Sequence, residues 1–314
     1  GYEGATLDNA AARNLKFIFG TDDTALLELT DLTLRIWIDD VLLTRPTVTA
    51  AVTNGNFTTD VAGWTDSDEA GGVSSWVAPG YLQLVGDGTG RAIRDQQVTV
   101  NQIGTEHALR ILIARGPVYL RVGSTLGDDD YVSETILGTG EHSLSFTPTG
   151  ASFLIRFFSS LERVVWVNSC NVEAAGVVEL PTPWTASDLN SVRIEQSADV
   201  VYVACLAMQQ RKIERRGERP HARGWSVVLY QPEDGPFNVQ NVTPITITAS
   251  ALTGNITLTA SKALFKADHV GALFALTSIG QQVSTTSAVS GTSTSSIRVT
   301  GVENARIFSV IISG

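Results

Sequence analysis

The chain has 314 residues, 43% of them hydrophobic and 17% charged, with a formal net charge of −10. That length fits two or three domains, each able to bury its own core. The acidic balance argues against nucleic-acid binding over the whole surface, which needs a basic face. The absence of any run of about 18 apolar residues excludes a membrane-spanning helix.

The opening, GYEGATLDNAAARNLKF, lacks the basic-then-apolar order of a secretory signal. It also lacks an initiator Met, so we expect residues upstream. Residues 14–48 alternate with period two and predict two or three strands: Leu15, Phe17 and Phe19 in the first, Leu32, Leu34, Ile36 and Ile38 in the second. Asp39-Asp40 signals a turn, and Val41 resumes the sheet. From Asn54 the pattern changes. Short strands separated by turns are predicted at 80–85, 91–100, 107–114, 118–122, 141–148, 152–159 and 163–172, a spacing that suggests a sandwich.

A turn-helix at 184–192 precedes a strand at 200–205 and then a basic run at 211–219 with five cations and two acids. The remainder, 241–314, is Thr/Ala/Ser-rich. It predicts strands at 245–249 and 256–260, a helical turn at 262–268, an extended stretch at 271–276 and an exposed Ser/Thr hairpin at 284–296. The ending VTGVENARIFSVIISG is a strand with nothing after it, so we expect the chain to continue past Gly314.

Candidate chemistry is sparse. Four histidines, at 107, 142, 221 and 269, have no metal spacing, and Cys170 and Cys205 do not complete a zinc set. Both cysteines sit in apolar strand patterns and read as buried free thiols. No P-loop or Gly-x-Ser-x-Gly elbow occurs. Asp128, Asp129, Asp130, Glu134 and Glu141 show no sign of converging on a sugar bond. The acidic loop 127–131 reads as solvated, without EF-hand ligand spacing. We therefore expect neither an enzyme, a cofactor nor a metal.

The stretch from Trp184 to Trp225 resembles tail proteins of double-stranded DNA bacteriophages. The carriers are Trp184, Thr185, Asp188 and Leu189, then Gln196, Ser197, Ala198 and Asp199, then a loop bearing Arg211, Lys212 and Arg215, and Trp225. The segment 13–48 resembles the start of the same family through Arg13, Phe17, Phe19, Leu27, Glu28, Leu29, Leu34, Arg35, Trp37 and Asp40. Between them, the Asn-Gly-x-Phe…Gly-Trp opening at 54–64 and the closing VVWVNSCNVE resemble carbohydrate-binding modules with a jelly-roll fold. Asn168 stands where such modules carry Asp, which puts a calcium site there in doubt. Ala263, Phe265, His269 and Gly271 resemble a small β module appended to phage tail proteins.

These resemblances imply an all-β, multi-domain chain. A discontinuous domain, 1–50 plus 174–240, carries an inserted β-sandwich jelly roll at 51–173, and a small β module with a short helix follows at 241–314. They imply a structural virion protein of a phage tail, of the hub, nozzle or distal-tail type. It would assemble in the bacterial cytoplasm as copies in a ring around the DNA channel, beside other tail proteins. A secreted or surface carbohydrate-binding protein is the alternative. The jelly roll reads either as a packing module or as a host-glycan contact through exposed aromatics, for which Trp76, Tyr81, Tyr119 and Tyr131 are the candidates. Trp64 and Trp166 are read as core. The basic run, with Arg211, Lys212, Arg215, Arg216 and Arg219, admits three readings: a solvated hairpin tip, a subunit interface, or a contact with DNA in the lumen.

Overall fold

The alternation of β-branched and aromatic residues with polar ones produces an all-β protein. Its computed structural model describes residues 4–206, 208–217, 221–231, 244–249, 256–264, 273–277, 286–288, 296–300 and 307–313. The chain divides into two units, Gly1–Tyr230 and Gln231–Gly314.

The first unit opens with β1 (Arg13–Gly20), β2 (Asp23–Thr30), β3 (Thr33–Ile38), β4 (Val41–Leu42) and β5 (Thr44–Arg45). Then come β6 (Thr65–Asp66), β7 (Val73–Val77), β8 (Tyr81–Val85), β9 (Ala92–Thr99), β10 (His107–Arg115), β11 (Val118–Gly123), β12 (Val132–Leu137), β13 (Gly140–Phe146), β14 (Ser152–Ser159) and β15 (Val165–Val172). The unit closes with β16 (Gly176–Val177), β17 (Glu179–Pro181), β18 (Arg193–Ser197), β19 (Val200–Cys205), β20 (Met208–Arg216) and β21 (Gly224–Leu229).

Three large sheets and a two-stranded one, β5 with β16, carry this unit. One runs β1-β2-β3-β17, with β4 beside β3. A second runs β12-β11-β14-β9-β6. The third has nine strands in the order β18-β19-β20-β21-β13-β10-β15-β8-β7. Two hydrophobic clusters use this long sheet from opposite sides. Leu109, Ile111 and Ile113 of β10 face the second sheet and join Phe153, Ile155, Phe157 and Trp64 in one core. Trp225 and Val227 of β21 and Ile213 of β20 face the first sheet and join Phe17, Leu27, Leu34 and Trp184 in another.

The side swap follows from strand register. His142 of β13 pairs with Ile111 and with Ser226, so these three share one face. Glu141 pairs with Leu112 and with Val227 on the other. Where one core ends, the opposite face becomes apolar. Period-two alternation lets a single sheet do this without a break in its hydrogen bonding.

The Asn54-Gly55 turn is pressed against β15. Cys170 N donates to Gly55 O at 2.7 Å, and a Cβ on Gly55 would fall 2.1 Å from the Cys170 carbonyl oxygen. Only glycine fits this approach. At the other end, residues 4–9 lie across the outer face of the first sheet. There Arg35 binds Glu28 at 2.7 Å and donates to Ala5 O, while Glu28 also accepts from Trp37 Nε1 and Leu7 N. That strap explains why an ion pair on an outer face is buried.

Predicted and observed strands coincide at 152–159 and 200–205 and nearly so at 107–115 and 118–123. Three differences stand out. Strands β7 and β12 are additional. The turn-helix at 184–192 is only a 3-10 turn, Leu189–Ser191, with Leu189 buried beneath it. The basic stretch expected as a loop is strand β20, because Ile213 sits in register between Val201 and Val227 and buries with them.

In the second unit, strands β22 (Ile247–Ala249), β23 (Ile256–Ala260), β24 (Leu273–Thr277), β25 (Thr286–Ala288), β26 (Ser296–Thr300) and β27 (Ile307–Ser313) form a sheet in the order β22-β23-β25-β26-β27-β24. The β23–β25 pair is parallel and the others are antiparallel. Residues 262–264 of the expected helical turn are not helical. Phe265, His269 and Gly271 lie outside the described residues, as does the rest of that turn.

Candidate functional site

The four glycan candidates occupy four separate places. Trp76 pairs with Leu82, so its indole turns toward the core, and its Nε1 donates to Phe57 O at 2.7 Å. Tyr131 lies over Phe146 at 6.1 Å at the rim of the same core and bonds Thr149. Tyr119 stacks on Phe158 at 5.0 Å on the outer face of the second sheet. Tyr81 is on the outer face of the nine-stranded sheet, one residue out of phase with the buried Leu82 and Leu84.

Beside Tyr81 stands an aromatic that the sequence assigns to the core. Trp166 alternates with the fully buried Val165 and Val167, so it faces the other way and remains half-exposed. Its ring is parallel to Tyr81 within 10°, with centroids 5.4 Å apart. Its Nε1 donates to Gln83 Oε1 at 3.0 Å, which fixes the indole orientation. The Arg115 guanidinium sits 5.3 Å from the Trp166 ring centroid. Alternation alone could have revealed Trp166, since Val-Trp-Val in a strand puts the outer residues on one face and the middle one on the other.

Arginines also flank Phe158, the ring on which Tyr119 stacks. Arg91 and Arg121 lie 5.5 and 5.6 Å from the Phe158 ring. Both are committed, Arg91 to Glu69 and Arg121 to Glu134. The acidic loop is likewise engaged in turn formation. Asp130 accepts from Ser124 N at 2.7 Å, Asp129 accepts from Glu134 N at 2.8 Å, and Asp128 accepts from the Thr125 hydroxyl. The Ser124 amide holds the Asp130 carboxyl below its ordinary range. No group of three or more potential metal ligands occurs among the described residues.

The basic run is mostly spent on internal ion pairs. Arg215 is buried between Asp23 and Asp199. Lys212 and Arg216 both bind Glu214, and Arg216 also donates to Thr135 Oγ1 at 2.6 Å. Arg211 is half-buried, and burial pulls its guanidinium below the ordinary range. Arg219 lies outside the described residues.

Where the two cores meet, Arg45 of β5 ties them together. It donates to Glu173 and Glu106, each at 2.8 Å, to Ser143 Oγ at 2.8 Å and to the Arg223 carbonyl at 3.0 Å. Arg110 adds a second cation to Glu173. Nearby Glu141 is pushed above the ordinary carboxylate range by burial, with the Glu173 charge adding and Arg110 opposing. Sequence reasoning misses this network, because its members lie up to 178 residues apart.

Compared with known proteins, the chain matches no family model and no curated sequence.

Proposed function

We propose that this chain is a structural virion protein of a tailed phage, of the hub, nozzle or distal-tail type. In this reading it assembles in the host cytoplasm as repeated copies in a ring around the DNA channel. The strongest support is the continuity of the nine-stranded sheet through both cores. Backbone hydrogen bonding runs from one core to the other within a single compact unit. Such a unit can hold an outward module at one angle in every copy of a symmetric assembly.

A ring also needs a contact face. The outer side of the first sheet carries an apolar diagonal: Ile18 lies one step from Leu26, and Leu26 pairs with Trp37. Ile18 is 51% exposed and Leu26 37%. We assign this stripe to a neighbouring copy or another tail protein. Transient contact with DNA is the weakest element, since Lys212, Arg215 and Arg216 already face carboxylates.

The alternative, a carbohydrate-binding protein without catalysis, is favoured by one observation, the half-exposed Tyr81–Trp166 pair. Negative-stain imaging of the purified chain and of its native particle separates the two. Closed rings, or the chain located in a tail, support the virion reading. A monomer missing from any particle leaves the carbohydrate-binding reading.

A further inference from the structure

Among the arginines that lie beside aromatic rings, Arg115 differs in one respect. Arg35, Arg91, Arg121 and Arg215 each have a carboxylate partner. Arg115 has its ring contact with Trp166 and no hydrogen bond or ion pair among the described residues. It is directly opposite Trp166 across the β10–β15 ladder. Burial, and then the nearby positive charge of Arg163, hold its guanidinium below the ordinary range. A half-buried cation next to a second cation gains most from an anion arriving from outside.

The groups beside it are those that recognise a sugar. Tyr81 stacks on Trp166, and Arg115 of the other flanking strand lies over the same indole, so the three side chains make one row on an outer sheet face. Gln83 accepts from the Trp166 indole, and its Nε2 group has no partner among the described residues. That leaves an aromatic surface for the C–H face of a pyranose, an amide donor for a hydroxyl, and a guanidinium for a negative group.

We propose that Tyr81, Gln83, Trp166 and Arg115 form a binding site for an acidic glycan, with the sugar ring against the aromatic pair and its anionic group on Arg115. The inference rests on the reading of the sandwich as a surface-contacting module and is independent of ring formation. The negative group comes either from a uronic acid or from a sulfate ester. The guanidinium suits both, because each presents two oxygens to its paired N–H groups.

The test is affinity electrophoresis of the full chain through gels containing polygalacturonate, dextran sulfate or neutral dextran, at low and at raised salt. We expect retardation in at least one acidic gel, weakening with salt, and little in dextran. Retardation in one gel alone identifies the carboxylate or the sulfate as the source. Arg115→Gln and Trp166→Ala should each weaken retention about tenfold, while Tyr119→Ala, on the opposite sheet, leaves it unchanged. Near-ultraviolet circular dichroism confirms that each variant is folded, and Arg115→Lys should recover part of the loss. No retardation in either acidic gel overturns the proposal, as does equal retardation in dextran or an undiminished Arg115→Gln. Rings observed by imaging alongside a negative gel would overturn this site while leaving the virion reading in place.

Discussion

Arg215 and Asp23, 192 residues apart in the chain, form a two-pronged ion pair inside the first unit. Arg215 Nη2 donates to Asp23 Oδ2 at 2.9 Å, and Nη1 reaches Oδ1. The same guanidinium donates through Nε to Asp199 at 2.8 Å and lies 4.8 Å from the Phe17 ring. It thus fastens the start of β2 to β20 and to the β18–β19 turn. The Arg215 hydrogen bond is the main cause holding the Asp23 carboxyl below its ordinary range, with burial opposing it.

Removing one partner of a buried pair leaves the other charged and unsolvated. Arg215→Ala should therefore destabilise the protein by about 3–5 kcal/mol. Arg215→Lys should recover little, since an ammonium cannot bind two carboxylates in the same plane. Denaturant unfolding followed by tryptophan fluorescence checks both. A loss under about 1 kcal/mol, the range of an exposed pair, would make the contact peripheral.

His142 gives a pH dependence. Its Nε2 faces the Gly138 carbonyl at 2.9 Å, so that nitrogen carries the proton, and its Nδ1 accepts from Ser226 Oγ at 2.8 Å. Burial, then the charge of Arg216, lowers its pKa from 6.5 to about 3. Between those values the unfolded chain takes up a proton that the folded chain refuses. Stability is therefore fully present above pH about 6.5 and falls as pH drops, by about 1.4 kcal/mol per unit from this group. His142→Gln removes the dependence. The stability gap between wild type and variant should narrow by that amount per unit between pH 6.5 and 5, and a constant gap would contradict the assignment.

The sheet faces were legible in the sequence where apolar residues alternate strictly, as in Leu109, Ile111 and Ile113 or Phe153, Ile155 and Phe157. Elements whose pairing is decided by distant partners were not. Strand β12 is largely polar and exposed on one side, and β20 is dominated by charges whose counter-ions come from other strands. The candidate site was half legible. Tyr81 is one of the four aromatics the sequence offers, but Trp166 reads as core there because the matching position in the jelly-roll motif it resembles is structural. Arg115 carries no local signal, because what marks it is a missing counter-ion, and that is a property of the folded neighbourhood.

Both thiols are buried, and burial raises Cys170 and Cys205 above the ordinary thiol range. Since the thiolate is the reacting species, neither should react with an aromatic disulfide reagent in the native protein. Two equivalents should react once the chain is unfolded in guanidinium. Rapid native labelling of either would place it at an accessible surface.

Arg45 tests the coupling of the two cores. Arg45→Met keeps the stem and removes the charge, leaving Glu173 with Arg110 and Glu106 with Arg223. We expect a loss of about 3–5 kcal/mol and a single unfolding transition that broadens or splits as the cores uncouple. A calorimetric scan that keeps one sharp transition at the wild-type temperature would show that the sheet alone provides the coupling.

The most direct test of the virion-ring reading is mass photometry of the full chain over a range of concentrations, wild type beside Leu26→Asp. Leu26 is at the centre of the exposed stripe on the first sheet, where a carboxylate would disrupt a subunit contact without entering the core. The account predicts one discrete multiple of the 33.5 kDa chain for the wild type and a monomer for the variant. A folded wild type that stays monomeric at every concentration, alone and with particle extracts, would contradict it.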